Sequence, residues 1–277
     1  MARLVHPFPS ILDGLVVAVV ALVAGGDTVT GGRLGASMMF LQFAIGAAND
    51  VIDARRDVGR EGDKPIPGGR VSRRDGIVVA VGAAALGVLL VLPVPELVAL
   101  ALLALAIGLA YDLLAKGTAL SWLPFAVGVP LLPVYGWLGA TGSLPSLFQV
   151  LVPVAAVAGA ALAIANAAVD VERDRAAGVG SIAVSLGVRR SAQLVLGLQA
   201  LVAGLAVATL AALRAPTGWI LVAVGAALFP LFGAVLGGIA AVRGGRDSRE
   251  RAWEIQALGT GLLATTWIAA MTAAPAS

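Results

Sequence analysis

Long apolar runs, separated by short polar or turn-forming stretches, recur along the whole chain. Each run approaches the ~20 residues that an α-helix needs to cross a hydrocarbon layer. The pattern predicts nine membrane-spanning helices, roughly over residues 11–24, 34–51, 76–92, 97–114, 120–138, 147–169, 191–213, 218–242 and 253–272. Gly25-Gly26-Asp27, Pro93-Val94-Pro95, Gly142-Ser143-Leu144-Pro145 and Ala215-Pro216-Thr217-Gly218 supply the breaks between them. The expected fold class is an all-α polytopic membrane protein whose single transmembrane domain spans residues 1–277.

Two of the apolar runs end on the same polar pattern. The second closes on Asn49-Asp50-Val51-Ile52-Asp53-Ala54-Arg55-Arg56-Asp57, and the sixth on Asn166-Ala167-Ala168-Val169-Asp170-Val171-Glu172-Arg173-Asp174. Both place Asn, Asp and Asp at positions i, i+4 and i+8. At about 100° per residue these three side chains share one face of a helix, with Asp50 at the edge of that arc. Glu172 falls away from the face, which suits a structural or solvated role. A carboxylate at a membrane boundary is costly unless something pairs with it, so both stretches are candidate functional sites. They begin 117 residues apart, and each is followed by a basic, glycine-containing loop, a weak internal echo of the kind left by membrane repeats.

Composition agrees with the hydropathy pattern and changes the reading of charge. The chain is 59% hydrophobic and 13% charged, with a mean hydropathy of +0.96, far from the average soluble domain. The N-terminus does not read as a cleaved signal, since Pro7 and Pro9 precede the first apolar run. The net charge of +3 and pI near 9.9 could suggest nucleic acid, but the basic residues sit in short loops between spans. Seventeen of the nineteen flank one set of loop ends; only Arg33 and Arg214 lie opposite. That asymmetry predicts a cytoplasmic N-terminus, an outside C-terminus and acidic ends facing the cytoplasm, in the plasma membrane, with no nucleic-acid partner. Arg55, Arg56, Arg73, Arg74, Arg189, Arg190 and the group from Arg243 to Arg251 are read as topology determinants and headgroup contacts. Trp122, Trp137, Trp219 and Trp253 fit an interfacial belt, His6 an interfacial position, and Gly204 and Ala208 close helix packing.

With no cysteine in the chain and no histidine in either acidic stretch, oxygen ligands would select a hard cation. Mg²⁺ is the usual choice where phosphates also bind. The loop Asp63-Lys64-Pro65-Ile66-Pro67-Gly68-Gly69-Arg70 joins a stiffened turn, a glycine pair and two cations, suited to bringing Lys64 and Arg70 to phosphate oxygens. Lys116, after Tyr111, is a third candidate, and Asp112 beside it could support it from a second layer.

These motifs resemble those of the UbiA family of intramembrane prenyltransferases. The family's N-D-x-x-D-x-x-x-D pattern stands complete as Asn49, Asp50, Asp53 and Asp57. Its following R/K-P-x-P-x-G-R stretch stands as Lys64-Pro65-Ile66-Pro67-Gly68-Gly69-Arg70, and its second motif as Asn166, Asp170 and Asp174. Where a G-x-x-T-like stretch with a basic residue would follow, the chain reads Gly178-Val179-Gly180-Ser181, leaving Arg175 as the nearest cation. The resemblance implies nine helices around a central cavity open to lipid, with a cytoplasmic cap of loops. It further implies Mg²⁺-dependent transfer of an isoprenoid chain from a prenyl diphosphate to an aromatic or lipid acceptor. Asp50, Asp53 and Asp57 would serve one metal ion and Asp170 and Asp174 the other, with Asn49 and Asn166 as ligands or phosphate orienters. Lys64, Arg70, Lys116 and Arg175 would meet the diphosphate. A terpene cyclase on the same scaffold, trapping the cation with the substrate's own double bonds, is the alternative enzyme. A cation-coupled transporter is the alternative outside enzymes, although it predicts acids near the bilayer midplane.

Overall fold

The computed structural model describes residues 2–54 and 64–274, and among these every regular element is helical. Helices occupy all nine segments expected from hydropathy. Five stretches are long and apolar enough to cross a membrane by length and composition: Pro95–Ala115, Leu123–Thr141, Phe148–Val169, Val188–Ala212 and Thr217–Arg243. The chain divides into two compact units, one formed by residues 1–114 and 131–144, the other by 115–130 and 145–277.

In the first unit, α1 (Pro7–Val23) starts on two prolines in its first turn, where the missing N–H costs nothing. It follows a 3₁₀ turn (Ala2–Val5) through His6, whose φ of 46° is left-handed. A turn at Gly25, φ 96°, reverses the chain into α2 (Thr28–Asp53). The Asp27 side chain accepts from the Thr30 N–H at 2.7 Å and caps α2. α1 and α2 touch at backbone distance. A Cβ on Gly14 would lie 2.8 Å from the Gly35 carbonyl oxygen, and one on Gly35 would lie 2.7 Å from that of Gly14. Small residues of this kind let membrane helices approach closely.

α3 (Arg73–Leu89) is capped by Ser72, whose Oγ accepts from the Asp75 N–H at 3.1 Å. Its far end is closed by Arg33, which donates to the Leu90 carbonyl at 3.0 Å. α4 (Pro95–Ala110) runs on into a single π turn, Tyr111–Ala115. With α6 (Leu131–Thr141), helices α2 and α3 form a polar junction around Ser37. Its Oγ lies 2.6 Å from the Gly87 carbonyl and 2.7 Å from the Tyr135 hydroxyl.

The second unit holds α5 (Leu123–Gly128), α7 (Phe148–Val169), α8 (Val171–Ala176), α9 (Ile182–Leu186), α10 (Val188–Ala212), α11 (Thr217–Arg243) and α12 (Arg246–Thr272). The expected span over 120–138 is thus interrupted, since α5 stops at Gly128 and α6 begins at Leu131. Pro130 between them has no N–H to carry the ladder through. Gly159 of α7 lies directly under the Phe125 carbonyl of α5. Ile164, Ala165, Val195 and Ala234 make a buried cluster against which Trp122 and Trp253 pack. Trp137 is buried as well. Trp122 and Trp253, both half-buried, and Trp137 thus give part of their surface to interior packing. Gly204 also departs from expectation. It is exposed and a Cβ there would meet nothing within 4 Å, so it makes no close helix contact.

Candidate active site

α2 delivers Asn49, Asp50 and Asp53 to its final turn. Asp50 is 2% and Asp53 3% exposed, so two carboxylates one turn apart are held away from water. Burial on this scale is tolerated only with compensation. Lys64 provides it for Asp50, its Nζ donating to Oδ1 at 2.6 Å. The same oxygen lies 3.4 Å from Nε2 of His6. The other oxygen, Oδ2, is buried and has no hydrogen-bond partner among the described residues. Asn49 donates through Nδ2 to Oδ1 of Asp112, itself 2% exposed and part of the π turn. π turns recur at functional sites because the extra residue redirects a side chain; here the carboxylate meets the first residue of the motif.

Lys64 is placed by the loop that follows it. The carbonyl of Pro65 accepts from the N–H groups of Arg70 at 3.0 Å and Val71 at 3.2 Å, and the Lys64 carbonyl from Gly68 at 3.1 Å. Gly69 takes a φ of 66° to make that turn. Ile66 and Val71 anchor it on Leu4 and Ala47. Arg70 is exposed, and its Nη2 reaches the Lys64 carbonyl at 3.3 Å. Gly46 admits the N-terminal segment, since a Cβ there would lie 3.1 Å from His6 and from the Val5 backbone. Asp57, along with Arg55, Arg56 and Arg60, lies outside the described residues.

The second acidic stretch is built differently. α7 ends at Val169, and Asp170, with φ −105° and ψ 16°, breaks the helix before α8 begins. The register survives through the Asp174 N–H, which bonds the Asp170 carbonyl at 2.9 Å. Asn166, Asp170 and Asp174 are half-buried. The break would leave the Val169 carbonyl without its helical partner. Arg249 of α12, 7% exposed, donates to it at 3.2 Å and also pairs with Glu172. Arg246 donates from Nε to Asp170 Oδ1 at 2.7 Å and from Nη1 to Glu250 Oε2 at 2.8 Å. Arg175 reaches the Val184 carbonyl at 3.4 Å. Lys116 is half-buried in the turn after the π turn. Gly180 is tight against that turn, where a Cβ would lie 2.9 Å from the Gly117 carbonyl oxygen.

The structure thus brings Asn49, Asp50, Asp53 and Lys64 together in one unit, and Asn166, Asp170 and Asp174 with α12 in the other. Arg246 and Arg249 were assigned to topology by sequence, yet they hold the second stretch. The sequence carried no local signal of this, because hydropathy starts the last helix at residue 253 and leaves both arginines in the preceding loop. His6 gave no signal either. Asp13, a carboxylate inside apolar α1, was also passed over although position alone singles it out.

The donor set suits a hard divalent cation. In the first unit Asp53 and Oδ2 of Asp50, unpartnered among the described residues, offer oxygen donors only, and so does the acidic stretch of the second unit. Among the described residues no group of three or more His, Cys, Asp or Glu side chains gathers at metal-binding geometry. A cation held by either stretch would therefore take part of its shell from water or a phosphate-bearing ligand, as Mg²⁺ commonly does.

The chain is similar to known proteins in sequence and in fold. The family model described as the UbiA prenyltransferase family matches residues 14–255. The digeranylgeranylglyceryl phosphate synthase of Methanoregula boonei is 31% identical over 196 residues, covering 68% of each chain. The apo structure of a UbiA homologue from Aeropyrum pernix K1 superposes with a TM-score of 0.74 at 20% identity, over 96% of this chain and 98% of that one. A UbiA homologue from Archaeoglobus fulgidus, bound to DMAPP and Mg²⁺, gives 0.70 at 17% identity, over 94% and 98%.

Proposed function

The chain belongs to the UbiA prenyltransferase family, and within it we propose a Mg²⁺-dependent enzyme that moves an isoprenoid chain from a prenyl diphosphate to a lipid acceptor bearing glycerol phosphate. The observation that carries this reading is the buried Asp50, one oxygen held by Lys64 and the other unpartnered among the described residues, one turn from buried Asp53. The arrangement supplies both signs of charge that a metal diphosphate needs. Support for the donor and metal comes from the A. fulgidus homologue, bound to DMAPP and Mg²⁺. Support for the acceptor comes from the curated relative named as a digeranylgeranylglyceryl phosphate synthase.

In this proposal Asp50, Asp53 and Asp57 hold one Mg²⁺ ion, and Asp170 and Asp174 the other, with Asn49 and Asn166 as further oxygen ligands or phosphate orienters. Bound Mg²⁺ neutralises negative charge that grows on the departing diphosphate. Lys64, Arg70, Lys116 and Arg175 bind diphosphate oxygens and stabilise the same charge. Lys64 leaves Asp50 for a phosphate oxygen at little net cost, since each partner is an anion. Asp112 keeps Asn49 oriented throughout. The acceptor hydroxyl attacks the first carbon of the prenyl chain, where positive charge develops, and its proton departs to base. We further propose one transmembrane domain of nine spans in the plasma membrane, with its N-terminus and acidic ends cytoplasmic and its C-terminus outside, an orientation that the distribution of basic residues supports.

The test is product identity. Purified protein would be given geranylgeranyl and shorter prenyl diphosphates with Mg²⁺, and a panel of glycerol-phosphate lipids and hydroxylated aromatics. An ether-linked prenyl lipid identified by mass spectrometry is the expected result. A prenylated aromatic would move the acceptor to that class. A cyclised hydrocarbon formed without any acceptor would replace transfer by cyclisation.

A further inference from the structure

We propose that Arg246 is a diphosphate-binding residue, held on Asp170 as the structure shows it and transferred to a phosphate oxygen when a divalent cation takes that carboxylate. The inference deepens the function proposed above and rests on it. Arg246 is the first residue of α12, a 27-residue helix. A guanidinium there faces the positive end of the helix dipole, so its position must be maintained by anions. Two hold it closely, Asp170 Oδ1 at 2.7 Å from Nε and Glu250 Oε2 at 2.8 Å from Nη1, while Asp247 Oδ1 lies farther off, 3.9 Å from Nη1. About a third of each side chain of the Arg246–Asp170 pair is exposed, so a ligand can reach both.

The two contacts have different fates when a cation binds. A Mg²⁺ ion on the same carboxylate weakens its hold on a guanidinium 2.7 Å away, because two cations then share one anion and repel each other across it. Glu250 lies four residues along the same helix face and is not in the second motif. It keeps hold of Nη1 while Nε is released, so the guanidinium pivots instead of leaving. The nearest new anion is the diphosphate that accompanies the cation, and arginine binds phosphate oxygens through paired N–H groups. Arg249 plays the complementary, stationary part. It is almost fully buried, bound to the Val169 carbonyl and Glu172, and fixes the helix break that presents Asp170.

The test uses full-length protein in detergent, as wild type, Arg246→Gln, Arg246→Lys and, as a control, Arg190→Gln. Mn²⁺ binding without diphosphate would be followed by electron paramagnetic resonance. Binding of inorganic pyrophosphate with saturating Mg²⁺ would be followed by calorimetry. Arg246→Gln is expected to bind Mn²⁺ at least as tightly as wild type, because a competitor for Asp170 is gone. The same variant is expected to bind Mg²⁺–pyrophosphate about tenfold more weakly. Arg246→Lys recovers part of that loss, and Arg190→Gln stays within about twofold of wild type. A donor KM raised with kcat little changed would accompany this. Unchanged pyrophosphate binding in Arg246→Gln overturns the proposal. So does equal loss of Mn²⁺ and pyrophosphate binding with a lowered melting temperature, which would make Arg246 a brace for Asp170 only. Wild-type protein that binds no Mg²⁺–pyrophosphate at all would instead remove the prenyl diphosphate reading beneath it.

Discussion

At the scale of single residues, the first acidic stretch shows how a buried site is kept ready by polar contacts from distant parts of the chain. Asn49 is oriented by Asp112, Asp50 by Lys64 and His6. Asp112→Leu leaves the Nδ2 group of half-buried Asn49 without its acceptor, a loss of about 1–2 kcal/mol. The expected outcome is prenyl transfer reduced about tenfold or more. Asp112→Asn keeps an acceptor oxygen and is expected to lose less. Steady-state rates for both variants check this, and wild-type rates in each would remove Asp112 from the site. The spacing of Asn49, Asp50 and Asp53 was legible in the sequence, because one helical turn is a local geometry. The partners were not. His6, Arg246 and Arg249 lie 44, 76 and 77 residues from the acids they meet, and local periodicity carries no information over such separations.

Among the elements, helix existence followed from hydropathy, whereas helix breaks and faces did not. Helices cover every expected segment, yet Asp170 interrupts the acidic end of the sixth without a nearby proline or glycine to announce it. The break depends on Arg249 satisfying the Val169 carbonyl from another helix. The π turn at Tyr111–Ala115 is equally silent in the sequence. Faces are hard to assign where a helix is apolar all round, which is why Gly204 was misplaced. The glycines themselves offer a direct comparison. Gly159→Ala forces a methyl group into the Phe125 carbonyl and is expected to destabilise the α5–α7 contact by about 1–3 kcal/mol. Gly204→Ala meets open space and is expected to be neutral or stabilising by up to about 1 kcal/mol, from helix propensity alone. Thermal unfolding of both variants in one detergent measures the difference. Equal shifts would contradict this assignment of packed and unpacked faces.

For the whole molecule, each compact unit carries one acidic stretch and its own cationic partners: Lys64 in one, Arg246 and Arg249 in the other. The motifs made the family legible from sequence, and the family match over residues 14–255 agrees. What the motifs do not encode is how each carboxylate is balanced before ligand binds, since that balance is tertiary. The central claim is that the two stretches serve one Mg²⁺-dependent reaction on a prenyl diphosphate. The most direct measurement is binding of geranylgeranyl diphosphate to wild type, Asp53→Asn, Asp170→Asn and the double variant, across a Mg²⁺ titration. Binding that requires Mg²⁺, falls about a hundredfold in each single variant and falls little further in the double variant is the expected result. Binding that is independent of Mg²⁺ and unaffected by either substitution would contradict it.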